Sequence, residues 1–353
     1  MKVFLERCES YKDVKPVIEK GFESLGGIDN FVREGETLLL KPNLLRGADP
    51  KKVVNTHPDF IIAVIKILEE KNVDILVGDS PGGPMKKSLL KRAYSNAKWD
   101  RIEEETDARL NYDTSKYPID FPPGDVLKSI DTVGFIHDVD GIINLPKLKT
   151  HMFTVYTGAV KNMFGCVHGL SKSAYHAQFR SLKDFGKMLN DVNNSLNPRI
   201  SIMDGIYGMQ GSGPSGGDPV KLDLLAMSSS SSALDEAVCR SVGIPIKKVK
   251  TIEHDEGITY PRLNPDDSGK NIDYPKGGTT PWYIPSALTN FFYKLLNKRP
   301  NLYQNRCIKC AKCEEICPKD AITMNPYAEI SWNDCIRCYC CAEICPEDAL
   351  RKE

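Results

Sequence analysis

Two copies of one cysteine pattern, 28 residues apart, constrain this 353-residue chain more than any other feature. The first runs Cys307-x2-Cys310-x2-Cys313-x3-Cys317-Pro318, the second Cys335-x2-Cys338-x2-Cys341-x3-Cys345-Pro346. Nine of the twelve cysteines lie in this stretch, while Cys8, Cys166 and Cys239 stand apart and read as small packing residues. Disulfide frameworks belong to small secreted domains, so in a chain this long the pattern points to metal or redox use. Zinc ligands usually come as separated Cys pairs, not as a triplet followed by a fourth cysteine. Each half repeats Ile-Cys-Pro and Asp-Ala (Ile316–Ala321, Ile344–Ala349), as internal duplication would. Residues 307–353 hold six basic and nine acidic residues, in a chain whose 47 Lys+Arg cancel its 47 Asp+Glu. The tail reads as a separate module.

With proline after the fourth cysteine, each run resembles that of bacterial two-cluster ferredoxins. The resemblance implies two [4Fe-4S] clusters in a small α+β domain, with the fourth cysteine of each run serving the other cluster. Cys307, Cys310, Cys313 and Cys345 are then the ligands of one cluster, and Cys335, Cys338, Cys341 and Cys317 those of the other. Cys340 is a ninth thiol outside the pattern and reads as a bystander. The intervening Ala321–Trp332 segment predicts two short strands and a turn.

The first 250 residues alternate short apolar runs with amphipathic stretches, which predicts a helix-covered, mainly parallel α/β sheet. Strands are expected at Thr37–Lys41, Asp74–Gly78, Gly141–Leu145, Arg199–Met203 and Lys248–Ile252. Helices are expected at Asp59–Glu70, Lys86–Asn96, Gly124–His137, Ser181–Asn194 and Ala233–Val242, the last capped from the Ser228–Ser232 run. This gives an α/β body over 1–256, an irregular excursion and connecting helix over 257–300, and the cysteine module over 301–353. The excursion packs on the surface or forms a lid, and Ser286–Lys298 reads as the connecting helix. A balanced charge removes the electrostatic case for nucleic acid or an anionic membrane as partner. No stretch approaches the roughly 18 apolar residues of a membrane helix. The N-terminus lacks the apolar core of a secretion signal, so a cytoplasmic protein is expected.

Several motifs gather at predicted strand ends: Lys41-Pro42-Asn43, His57-Pro58, Gly78-Asp79-Ser80-Pro81-Gly82-Gly83, Asn144 through His151, Lys161 through Gly165, and Asp204-Gly205-Ile206 with the glycines after it. In this order they resemble the DUF362 family, and more distantly the chain is similar to lactate racemase-like proteins. The family resemblance implies the α/β architecture with a ferredoxin-type tail and supplies no settled reaction. Read physically, the C-terminal edge of a parallel sheet is where ligands bind. There Lys41, Lys147, Lys149 and Lys161 suit an anionic small molecule, with Asn43, His57, Asp79, Ser80, Gly82, Gly83 and Asp204 as further pocket residues. His151, Lys149 and Lys161 are the candidate catalytic groups, since a His flanked by cations stays neutral and serves as acid or base near pH 7. Asp79 and Asp204 could hold a divalent ion, orient a histidine or cap a loop; capping is favoured. Neither glycine loop matches the Rossmann or P-loop pattern, so neither NAD nor ATP is indicated. A flavin or further metal would bind without a recognisable motif.

The leading expectation is an oxidoreductase that takes electrons from a partner such as a ferredoxin or flavodoxin and reduces a bound anion. Two other classes stay open: an electron-transfer adaptor or ligand-binding sensor, and a non-redox acid–base or metal enzyme with structural clusters.

Overall fold

A computed structural model describes residues 1–253, 257–267, 269–275, 299–331 and 333–351. The body carries strands β1 (Phe4–Arg7), β2 (Thr37–Pro42), β3 (Asp74–Val77), β4 (Arg109–Leu110), β5 (Lys116–Asp120), β6 (Ser129–Val133), β7 (Gly141–Leu145), β8 (Lys147–His151), β9 (Val155–Thr157), β10 (Ile200–Gln210) and β11 (Asp218–Ser228). Its helices are α1 (Val14–Ser24), α2 (Pro58–Glu69), α3 (Lys87–Asn96), α4 (Asp100–Glu105), α5 (Ala159–Asn162), α6 (Gly169–Gln178), α7 (Leu182–Leu196) and α8 (Ser231–Ser241). Nine strands form one sheet in the order β1-β11-β10-β7-β2-β3-β4, with β8 paired to β10 and β9 to β8.

The centre of this sheet is parallel: β2 pairs in parallel with β3 and β7, and β7 with β10. Strand β2 shows why. Its apolar run is covered on both faces, Leu38 and Leu40 packing into one core and Leu39 into the other. Alternate residues of a strand face opposite ways, so a run apolar at every position suits only a sheet with helices on both sides. Truncating Leu39 to Ala would cost about 2–5 kcal/mol. Helix α2 starts at Pro58, with His57 Nδ1 accepting from Asp59 N at 3.3 Å, and α8 is capped by Ser230 Oγ accepting from Ala233 N at 3.2 Å.

Two expected elements are corrected. Gly124–His137 is not a helix: Ser129–Val133 is strand β6, paired antiparallel with β5 in a separate hairpin, and Gly134–Asp138 is a 3-10 turn. Its apolar residues fit both periods, and the two-residue alternation of buried Ile130 and Thr132 with Ser129 and Asp131 wins in the pairing. Lys248–Ile252 is not a strand. A 3-10 turn spans Ile246–Lys248 after Pro245, and Val249 enters the core with Ile252 packed against it. Beyond the parallel centre, β1, β10 and β11 form an antiparallel edge.

The cysteine module contains the expected hairpin, Ile322–Met324 with Ala328–Ile330, and a second ladder joining Asn301–Leu302 to Leu350–Arg351. Its duplication is visible in the backbone. Lys309, Ala311 and Asp320 adopt positive φ, and so do Arg337, Tyr339 and Asp348, each 28 residues on. The module is seated on the body. Tyr339, Cys341, Ala342 and Leu350 share a core with Phe153, Phe185 and Met188, and Arg46 donates to Pro346 O at 2.6 Å while pairing with Asp348 at 2.9 Å. The described part of the 257–275 excursion packs Ile258, Leu263 and Ile272 on the core beneath α8. The expected helix Ser286–Lys298 lies outside the described residues.

Candidate functional site

Strand β8, Lys147-Leu148-Lys149-Thr150-His151, organises the polar interior. Its alternation sends Lys147, Lys149 and His151 to one face, and all five of its residues are buried. Each of the three charged or titratable side chains finds a different partner. Lys147 Nζ pairs with Asp204 at 2.7 Å. Lys149 Nζ has neutral acceptors, Asn43 Oδ1 at 2.8 Å and the Val54 carbonyl at 2.7 Å. His151 Nδ1 accepts from the backbone of Phe153 and Thr154 at 3.0 and 3.2 Å, which leaves the proton on Nε2, 2.9 Å from Glu343 but out of line for a hydrogen bond.

Glu343 belongs to the cysteine module, on the helix Cys340–Ile344. Between that helix and the body lies a cleft lined by Asn43, Asp79, Ser80, Gly82, Lys149 and Lys161 among the expected residues, and also by Thr157, Lys172, His176, Cys340, Glu343 and Ile344. Lys161 enters from α5, whose first turn is held by the buried Asp235 accepting from Ala159 N at 2.6 Å and Val160 N at 3.0 Å. Asn162, beside it, accepts from Lys41 Nζ at 3.2 Å and Asn43 Nδ2 at 3.0 Å. Lys172 enters from α6 and donates to the Ser80 carbonyl.

The electrostatics follow from burial. It draws Lys149 well below the ordinary lysine value, with Lys161 adding repulsion, and draws Lys161 down as well. Lys172 is brought down to about 7. Burial likewise lowers His151 to about 4 and His176 to about 3, so both imidazoles are neutral at neutral pH. Burial alone would raise the Glu343 carboxyl, but His151, Lys161 and His176 hold it below the usual carboxylate range.

The single edge site expected from the motifs is divided in two. Asp204, Lys147 and His57 do not line the cleft. They form a closed network in which Asp204 also accepts from His57 N at 3.1 Å and from the Tyr11 hydroxyl at 3.3 Å, and Tyr11 stacks on His57 at 3.8 Å. Lys41 sits behind the cleft, paired at 3.0 Å with Asp79, whose carboxylate also caps the loop by accepting from Leu44 N and Ser80 N. Gly165 has to be glycine there, because a Cβ would come within 2.1 Å of Asp79 Oδ1. A divalent ion at either carboxylate would have to displace a buried lysine. Gly83 holds φ +99 at the end of its loop and is not part of the lining. The glycine-rich stretch after Asp204 runs along strand β10 as far as Gln210 and then into the loop before β11, which docks the module through Ser215 Oγ donating to the Ala342 carbonyl at 3.2 Å.

Lys172, His176, Thr157, Asp235 and Glu343 escaped the sequence reading. Glu343 had a signal of sorts, since Glu-Ile-Cys-Pro recurs at Glu315. A feature present in both halves marks the duplication, and only docking distinguishes Glu343 from its counterpart.

The module's cysteines ring two further cavities. One is lined by Cys307, Cys310, Cys313 and Cys345, the other by Cys317, Cys335, Cys338 and Cys341. Among the described residues no three His, Cys, Asp or Glu side chains close on a point as ligands of a single ion do. The surroundings fit an anionic iron–sulfur cluster. Ala321 N donates to Cys317 Sγ and Ala349 N to Cys345 Sγ, both at 3.3 Å. The positive-φ residues within each Cys-x2-Cys-x2-Cys turn curl the backbone as anion-binding nests do. Burial pushes the Cys335 thiol up, and fully buried Arg337 beside it works against that rise. Cys340 lines both the second cysteine cavity and the lysine cleft, and so forms part of the wall between them.

A helix-covered, mainly parallel α/β body seated on a duplicated cysteine module defines a two-part iron–sulfur protein. Residues 38–240 match the family described as a domain of unknown function, DUF362, and residues 300–323 match the 4Fe-4S binding domain. The chain belongs to the DUF362 family and carries a 4Fe-4S module. A thylakoid-associated protein of Synechocystis sp. is 32% identical over 266 residues, covering 74% of this chain and 80% of that protein. Among solved structures, the lactate racemase apoprotein from Thermoanaerobacterium thermosaccharolyticum matches with a TM-score of 0.42 and 14% identity over 66% of this chain, which spans 55% of that one. Among the described residues no helix is long and apolar enough to cross a membrane.

Proposed function

We propose that this protein is a cytoplasmic iron–sulfur oxidoreductase that delivers electrons to an anionic small molecule held in the lysine cleft. The observation that carries this reading is the position of the cleft, walled by body lysines on one side and by the Cys340–Ile344 helix on the other. In it the module holds two [4Fe-4S] clusters, one on Cys307, Cys310, Cys313 and Cys345, the other on Cys335, Cys338, Cys341 and Cys317. When bound, such clusters supply single electrons.

The chain's own residues do the rest. Lys149, Lys161 and Lys172 bind and orient the anion in a water-poor cleft, where their charges act more strongly than in solution. Lys172 is the lysine best poised to give up a proton near pH 7, because burial has already brought it down to about 7. His151 stands behind Glu343 rather than in the cleft, with its Nε2 2.9 Å from that carboxylate. A partner of the ferredoxin or flavodoxin kind would dock at the Cys307–Cys313 loop, where Cys310 is exposed and Ile308 is 60% exposed.

Anaerobically reconstituted protein should contain about eight irons and eight acid-labile sulfides per chain. Mass spectrometry of protein purified without oxygen should reveal an anion that a Lys161→Met variant fails to retain. Four irons or fewer after full reconstitution would defeat the ligand sets. A cleft that never retains or binds an anion would leave an electron-transfer adaptor as the better reading.

A further inference from the structure

The cleft holds more basic groups than it can pair. Of its carboxylates, Asp79 is already taken by Lys41, which leaves Glu343 alone against Lys149, Lys161 and Lys172. Lys161 has no hydrogen-bond or ion-pair partner among the described residues, and Lys149 has only neutral oxygens. Burial disfavours the charged form of all three lysines, so a bound anion is what would keep them protonated; with His151 and His176 neutral, three protonated lysines then exceed the carboxylate by two charges. A second observation also points to a ligand. Thr157 and His176, both lining the cleft and 4% exposed, each keep a buried polar atom, Oγ1 and Nδ1, without a hydrogen-bond partner. Such atoms are costly unless something fills them.

The nearer cysteine cavity is the one lined by Cys317, Cys335, Cys338 and Cys341, because Cys340 borders both spaces. Cys307, Cys310, Cys313 and Cys345 line the cavity that shares no lining residue with the cleft. Charge placed in the cleft therefore acts first on the nearer set.

We propose that the cleft is a site for a small dianion bearing a neutral hydrogen-bonding oxygen, and that its occupancy opposes reduction of the cluster held by Cys317, Cys335, Cys338 and Cys341. This rests on the anion-site reading above and adds to it the ligand's charge and its link to one cluster. The sign is fixed by Coulomb's law: negative charge in the cleft disfavours a further electron on the cluster next to it. By linkage, reduction of that cluster weakens the dianion by the same factor. The empty, lysine-rich cleft favours electron loading, and arrival of the dianion makes the loaded electron a stronger reductant.

The test uses the full chain, reconstituted without oxygen, with L-malate as the hydroxyl-bearing dianion, succinate as the dianion without it, and lactate as the monoanion. Calorimetry should rank malate above succinate and succinate above lactate. Malate should bind the oxidised protein about tenfold more tightly than the reduced one, equivalent to about 59 mV in a one-electron couple. In an EPR-monitored redox titration, saturating malate should lower the potential of one cluster more than the other. Cys340→Ser, which alters the neighbour of Cys338, should shift that same signal and so assign it. Lys161→Met should weaken malate binding and, without ligand, lower the same potential. Equal malate affinity in both redox states with unmoved potentials would overturn the coupling while leaving an anion site intact. Lactate binding as tightly as the dianions would overturn the charge assignment. Failure of all three to bind would remove the anion-site reading itself, and this inference with it.

Discussion

Lys147 and Lys149 lie two residues apart on one face of β8, both buried, and they end in opposite situations. Lys147 meets Asp204 at 2.7 Å within a network that Tyr11 and His57 close off. Lys149 meets an amide oxygen and a backbone carbonyl, with Lys161 as a neighbouring charge. A buried ion pair completed by hydrogen bonds holds structure together, whereas a buried lysine facing only neutral oxygens has its charged form disfavoured until an anion arrives to pair with it. One strand thus builds a strut and, in the proposed reading, a site.

The sharpest way to break this comparison is to remove the strut's anion. Asp204→Ala leaves Lys147 buried and uncompensated, and should lower unfolding free energy by about 3–5 kcal/mol in chemical denaturation. The double change Lys147→Met with Asp204→Leu should recover most of that loss. If Asp204→Ala costs no more than Lys161→Met, the division into strut and site fails. On the other side, Lys161→Met should leave stability unchanged or higher, since repulsion with Lys149 disappears. Its effect should fall on anion affinity, lowered tenfold or more in calorimetry, about 1.4 kcal/mol per tenfold.

A smaller effect concerns pH. Lys172, at about 7, is influenced by Asp79, Lys41, Cys166 and Lys161. An anion prefers the protonated ammonium, so affinity should fall by a few fold as pH rises from 6 to 8. Lys172→Met should flatten that profile, and an unchanged profile in the variant would remove Lys172 from the site. Smallest of all, Cys340→Ser should leave iron and sulfide content as in the parent protein, because Cys340 lies outside the eight proposed ligands. Loss of a cluster in that variant would contradict the ligand sets.

The parallel centre of the fold was legible because β2, β3 and β7 are short apolar runs, a pattern that leaves few alternatives once helices flank it. Strand β8 was hidden. Its lysines and histidine read as a polar loop, and only the partners supplied by Asp204, Asn43 and Glu343 let them be buried in a sheet. The misread Gly124–His137 segment shows the reverse, apolar residues whose spacing suits either period until β5 offers a strand to pair with. For the site, motif proximity to strand ends brought Asn43, Asp79, Lys149 and Lys161 into view, since the parallel register aligns those ends. It could not separate Asp204 from them, nor find Glu343, because both facts depend on how distant segments meet.

The central claim is that electrons pass from the module to an anion in the lysine cleft. The most direct measurement mixes chemically reduced, anaerobic protein with the anion recovered from its own purification and follows cluster absorbance in a stopped-flow instrument. The account predicts reoxidation, with reduced product formed in proportion to the electrons lost, and much slower reoxidation in Lys149→Ala at unchanged iron content. An anion that binds in the cleft while the clusters stay reduced would contradict it.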